Sequence, residues 1–120
     1  MKIFVSHSKD LDYVKELYNP IRESELNNKY EFLLPHEEKN HFDTKDVIKS
    51  SDLILAEVSL PATGQGIELG WANVLNVPIL CVSKDGVEIS NSLKYITDRF
   101  ITYTDSTDMI NKIALSLYKI

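Results

Sequence analysis

Glu68 stands in the stretch SLPATGQGIELGWANVL, residues 59–75, just after Gly64 and Gly66. A carboxylate beside residues that lack side chains, near the N–H groups opening a helix, can meet a ligand at close range. The helix dipole favours its ionised form unless burial opposes this, and such an anion can attack the anomeric carbon of a sugar, as in retaining glycoside chemistry. Its alternative is a solvated glutamate in a good helix position. Upstream lie Asp43, Asp46 and Asp52, and Glu57 interrupts the apolar run LILAEVS. Asp43 and Asp46 lie on the segment feeding the third strand, where a side chain can reach the same site, although Asp43 equally suits a helix cap. Asp52 suits the start of a strand, and Glu57 needs either the site or a structural partner.

The remaining chemistry-bearing residues exclude more than they support. His7, His36 and His41 form no helical i,i+4 pair, no H-E-x-x-H motif is present, and Cys81 is the one cysteine, so no metal or other cofactor is expected. Cys81 reads as a small buried residue in VPILCV. The GQG of residues 64–66 lacks the third glycine of a dinucleotide fingerprint and the Lys-Ser or Lys-Thr of a P-loop. SHS, residues 6–8, has no G-x-S-x-G elbow around it, so a serine-hydrolase triad is unsupported.

Elements must bring the candidates together. Short β-branched runs at 2–6, 30–35, 53–58, 78–83 and 100–104 read as strands, alternating with amphipathic segments that read as helices. Pro20 should kink or shorten the first helix, Asp43 or Thr44 should cap the second, and Asp105 or Ser106 the last. The pattern predicts an α/β fold, a doubly wound five-stranded parallel sheet of order 2-1-3-4-5 with helices on both faces. The ligand crevice of such a sheet lies beyond the C-terminal ends of strands 1 and 3. That selects the loops SHSKD and SLPATGQG, with Ser6, His7, Ser8 and Ser59 among their polar residues.

Composition bounds the partners. The 120 residues suit a single domain over 1–120, and 43% hydrophobic with 26% charged residues suits a folded chain. A net charge of −5 without a basic run argues against polymeric nucleic acid. No stretch approaches the ~20 apolar residues of a membrane span, and the start lacks the apolar core of a secretion signal, so no membrane partner and a cytoplasmic location are expected.

Residues 50–82, SSDLILAEVSLPATGQGIELGWANVLNVPILCV, resemble the core motif of the nucleoside 2-deoxyribosyltransferase family, including its deoxynucleoside 5'-monophosphate N-glycosidases. There an A-D-(apolar)-A-E-V segment leads into P-S-x-G-x-G-x-E-L-G-x-A and a K-P-I-L strand. Asp52, Ala56, Glu57, Val58, Pro61, Gly64, Gly66, Glu68, Leu69, Gly70 and Ala72 match in register. The resemblance implies a flavodoxin-like sheet and a nucleophilic Glu68 that attacks C1' of a 2-deoxyribose. The base leaves, and water or a second base then takes the sugar from a covalent ester.

The resemblance also implies a substrate pocket and a partner. A nucleoside or nucleotide would be held near Pro61, Ala62, Thr63, Gly64 and Gly66, with Ser6, His7 and Ser8 close to base or phosphate. A residue near ISNSLKY, Ser90 or Ser92, would come from a neighbouring subunit of a homodimer or higher homo-oligomer. Two family positions differ here: Thr44 stands where the resemblance implies an aspartate that assists proton transfer to the leaving base, eight residues before Asp52, which leaves Asp43 and Asp46 beside it as the candidate acids, and Ala62 replaces the P-S serine.

Two other readings stand beside this one. KIFVSHSKD resembles the start of a Toll/interleukin-receptor domain, which implies NAD cleavage, and Thr44 suits a nucleotide-binding sensor or partner module without catalysis. A phosphoacceptor receiver domain is disfavoured, because Ser6 and Ser59 occupy the places of its acids.

Overall fold

Alternate side chains of the central strands are apolar on both sides, so neither face of the sheet can be left to water. Ile3 and Val5, Leu53 and Leu55, and Leu80 and Val82 enter one buried cluster, while Phe4, Ile54, Ala56, Ile79 and Cys81 enter the other. The computed structural model describes residues 1–37 and 43–120; His41 lies outside the described residues. Its strands are β1 (Lys2–His7), β2 (Glu31–Leu33), β3 (Leu53–Glu57), β4 (Ile79–Lys84) and β5 (Phe100–Tyr103). All pair in parallel, in the order β2-β1-β3-β4-β5 anticipated from the pattern.

Helices cover both faces. The first cluster is closed by α1 (Asn19–Arg22), α2 (Leu26–Lys29) and α5 (Ser106–Tyr118), through Ile21, Leu26, Met109, Ile113 and Leu117. The second is closed by α3 (Thr44–Lys49) and α4 (Thr63–Val74), through Ile48, Leu69 and Ala72. Among the described residues no helix is long and apolar enough to cross a membrane.

Local chemistry explains where the elements depart from simple periodicity. Pro20 has no N–H to continue an α-helical ladder. The chain before it winds as a π-helical turn, Val14–Tyr18, closed by the Asn19 N–H on the Val14 carbonyl, and α1 follows with Pro20 in its first turn. SNSLKYITD, which lies between the fourth and fifth strands where the alternation predicts a helix, forms a 3-10 turn, Asn91–Tyr95. Asp43 and Asp105 are the caps of α3 and α5. The pairing of Ser6 with Ala56 and of His7 with Glu57 brings the ends of β1 and β3 level, which builds the floor of the crevice.

Candidate active site

Ser6 and Glu68, 62 positions apart in sequence, meet at this floor: the buried Ser6 hydroxyl donates to Glu68 Oε1 at 2.7 Å. No other hydrogen bond to this carboxylate exists among the described residues, so Oε2 is uncommitted. Glu68 is the sixth residue of α4, past the first turn where the dipole acts most strongly. Its ionisation is therefore set by its surroundings rather than by the helix start. Burial pushes its pKa above the usual carboxylate value, and the Ser6 hydroxyl, which favours the charged form, pulls it back. Ser6→Ala removes the opposing contact and is expected to raise the pH at which Glu68 titrates by about one pH unit. Carboxyl NMR of the variant checks this; an unmoved or lowered midpoint contradicts it.

The start of α4 is open. Its N-cap is Ala62, whose side chain cannot accept from the first N–H groups. Thr63 and Gly64 are exposed there. The third residue, Gln65, is buried, and its Nε2 donates to the carbonyls of Glu57 at 2.8 Å and Ser6 at 3.2 Å. A signal for this was present in sequence: Gln65, Leu69 and Ala72 share one buried helix face, and a polar residue in that series needs a partner.

Glu57 faces structural partners. Its carboxylate accepts from the Ser59 N–H at 2.6 Å, the Ser59 hydroxyl at 3.1 Å and the Tyr103 hydroxyl. Ser59 Oγ in turn accepts the Lys84 N–H at 2.8 Å. The N–H and hydroxyl of Ser59, a residue expected to line the crevice, are thus engaged within the fold. Burial and the neighbouring Glu57 charge push the Tyr103 pKa far up, so this phenol remains a donor.

A second buried chain holds the loop after β1. His7 Nδ1 lies 2.9 Å from the Ser8 carbonyl and Nε2 lies 2.7 Å from the Tyr18 hydroxyl. A carbonyl only accepts, so the proton is assigned to Nδ1, and Nε2 accepts from Tyr18. Tyr18 then receives the His36 N–H at 3.1 Å. The sequence placed His7 in the crevice as a substrate contact, but both its nitrogens have internal partners. Burial lowers its pKa, which keeps the ring neutral. Ser8 is similarly engaged: it is buried and its Oγ accepts the Asp10 N–H at 3.1 Å. What this corner offers a ligand is aromatic surface, with His7, Tyr13 and His36 mutually within 5.2 Å between ring centroids.

The other expected residues divide into two groups. Asp43 Oδ1 accepts the N–H groups of Lys45 and Asp46 at 3.1 and 3.3 Å, so Asp43 serves as the cap that the sequence allowed. Asp46 is exposed in the first turn of α3. Pro61, Ala62 and Gly66 line a cavity of about 250 Å³ on the side of α4 toward the 3-10 turn, together with Ser90 and Ser92. Ser90 and Ser92, of which the resemblance implies that one reaches a neighbouring subunit's pocket, line a cavity of their own chain. Burial pushes the Cys81 thiol up to about 12, leaving no reactive thiolate. Among the described residues no three His, Cys, Asp or Glu side chains converge as metal ligands would.

The class of fold defined by this sheet is flavodoxin-like, and solved structures share it. A CMP N-glycosidase of Clostridium botulinum, BcmB, is similar with a TM-score of 0.67 and 18% identity, over 95% of this chain and 99% of that one. A conserved protein of Enterococcus faecalis V583 gives 0.60 and 18%, over 97% and 98%. At that identity the likeness is one of fold. No family model matches the chain. Two curated proteins carry the provisional name 2'-deoxynucleoside 5'-phosphate N-hydrolase 1. That of Syntrophotalea carbinolica is 44% identical over 41 residues, 34% of this chain and 29% of the relative. That of Methanosarcina mazei is 38% identical over 45 residues, 38% of this chain and 28% of the relative. The matched stretch spans less than a third of these relatives. Over those short stretches the chain is similar in sequence to the two relatives, and over nearly its whole length it is similar in fold to the solved structures.

Proposed function

We propose that this protein breaks the N-glycosidic bond of a 2'-deoxynucleoside or its 5'-monophosphate, with Glu68 as nucleophile. The observation that carries the reading is the Ser6–Glu68 hydrogen bond at the ends of β1 and β3, which fixes one carboxylate oxygen and leaves the other uncommitted. Oε2 attacks C1' as the bond to the base breaks, and the electron pair leaves with the base nitrogen, which takes up a proton. Water, giving up a proton, or a second base then attacks C1' and frees the carboxylate. Of the two acids expected to serve the leaving base, Asp43 is held as a cap. Asp46 is the freer candidate for the proton, with Thr44 at the family's aspartate position.

The uncapped start of α4, with Thr63 and Gly64 exposed, supports an oxygen-rich group of the substrate lying there. The cavity beside it, with Ser90 and Ser92, suits the sugar's 5' end, and a second copy of the chain would complete the pocket as in the family.

The test is a panel of deoxynucleosides, deoxynucleoside monophosphates, ribonucleotides and NAD, with and without a second free base, assayed for released base. Release from a 2'-deoxy substrate is expected. Exchange without hydrolysis would make the protein a transferase, and release from NAD alone would turn the reading toward the Toll/interleukin-receptor resemblance. Tight binding without release across the panel would contradict the proposal and favour a sensor.

A further inference from the structure

We infer that Gln65 is a positioning residue for the Glu68 carboxylate: one side-chain amide ties the ends of β1 and β3 to α4 and closes a ring of contacts that ends on the nucleophile. The inference deepens the proposed function, because it concerns the same site. Gln65 is buried, and its Nε2 has two hydrogens and two acceptors, the Glu57 carbonyl at 2.8 Å and the Ser6 carbonyl at 3.2 Å. These carbonyls lie in the last residue of β3 and the next-to-last of β1, adjacent strands whose final pairs are Ser6 with Ala56 and His7 with Glu57.

The ring closes through Ser6. Its carbonyl is held by Gln65 and its hydroxyl holds Glu68 at 2.7 Å. Gln65 and Glu68 are three positions apart on α4 and so share one side of the helix. The contacts run from the Gln65 amide to the backbone of Ser6, from the Ser6 side chain to Glu68, and back along α4. An amide is suited to this part by its two donors. A hydroxyl has one, and an apolar side chain would lose both bonds and leave the end of β1 loosely held against the helix.

Other ionisable groups near the site do not supply this restraint. Tyr18, on the π-helical turn, feels the Glu68 charge, and its hydroxyl is engaged with His7 and His36. His7, at the end of β1, is kept neutral by burial.

The experiment titrates the Glu68 carboxyl by carbon NMR in the wild type, Gln65→Met, Ser6→Ala and the double variant, with the resonance assigned by its loss in Glu68→Gln. Methionine conserves volume and removes both donors. Gln65→Met is expected to raise the Glu68 midpoint in the same direction as Ser6→Ala, by up to about one pH unit, with the double variant no higher than Ser6→Ala alone. A folded Gln65→Met protein titrating as the wild type, or additive shifts in the double variant, would overturn the inference. If Gln65→Met does not fold, Gln65→Asn keeps the donors on an arm too short for both carbonyls, and the same upward shift is required of it.

Turnover supplies an independent reading: kcat for base release should fall about tenfold in Gln65→Met, with KM within about twofold. A change confined to KM would count against positioning. Should the wild type release no base from any substrate, the proposed function fails while the titration still decides the role of Gln65.

Discussion

Glu68→Gln is expected to lower base release by roughly four orders of magnitude or more, the scale on which enzymes lose rate with their nucleophile. The fold should not suffer. Burial raises the folded-state pKa of Glu68, so its contribution to stability is present at low pH and is lost as pH rises through that value. A neutral amide of the same shape is indifferent to pH there. Glu68→Gln should therefore melt at or above the wild-type temperature at pH 7. Chromatographic assay of base release with a thermal melt on the same sample checks both halves. A variant that melts normally and turns over at the wild-type rate would end the assignment of Glu68. In the wild type, a peptide carrying Glu68 should gain the mass of a 2-deoxyribosyl group when the reaction is quenched during turnover.

The second large effect concerns stability. Glu57→Leu leaves the Ser59 N–H and the Tyr103 hydroxyl without their acceptor in a site that is 1% exposed at Glu57 and 5% at Tyr103. Orphaning such donors costs about 3 kcal/mol, which for a domain of this size lowers the melting temperature by roughly 10–15 °C. Tyr103→Phe, which removes a donor and leaves Glu57 bound to Ser59, should cost less. Calorimetry orders the two. The folded fraction of Glu57→Leu should still release base, because the carbonyl that Gln65 uses is backbone. Normal melting with no turnover would mean instead that the Glu57 carboxylate acts on the substrate.

Much of the fold was legible because its causes are local. Short, continuous apolar runs rich in β-branched residues, alternating with helical segments, predict the sheet, and the doubly wound rule predicts which two loops meet. The caps were legible to within a residue, Asp43 or Thr44 and Asp105 or Ser106, because a short acceptor before a helical run satisfies its first N–H groups, and the two aspartates are the caps.

Pairing across the molecule was less legible. His7, Ser8 and Ser59 are polar residues in the correct loops, yet nothing in SHSKD or SLPATGQG shows that Tyr18 and Tyr103 reach them or their neighbours. The tyrosines come from separate elements, and only tertiary packing decides whether a loop side chain turns toward a ligand or back into the chain. Glu57 was ambiguous for that reason, and its partner lies 46 positions away. Gln65 stands between two glycines that read as clearance, and only its place in the buried series with Leu69 and Ala72 marks its structural part.

Those glycines carry a further consequence. A methyl group placed on Gly64, Gly66 or Gly70 would meet nothing within 4 Å beyond its chain neighbours and the backbone of its own helix. Each glycine weakens a helix by about 0.5–1 kcal/mol relative to alanine, so all three forgo stability that the folded chain has room to accept. Packing does not explain this sacrifice; an approaching molecule would. Engineering for heat resistance would favour alanine at these positions, and the cost would fall on whatever enters the space they leave.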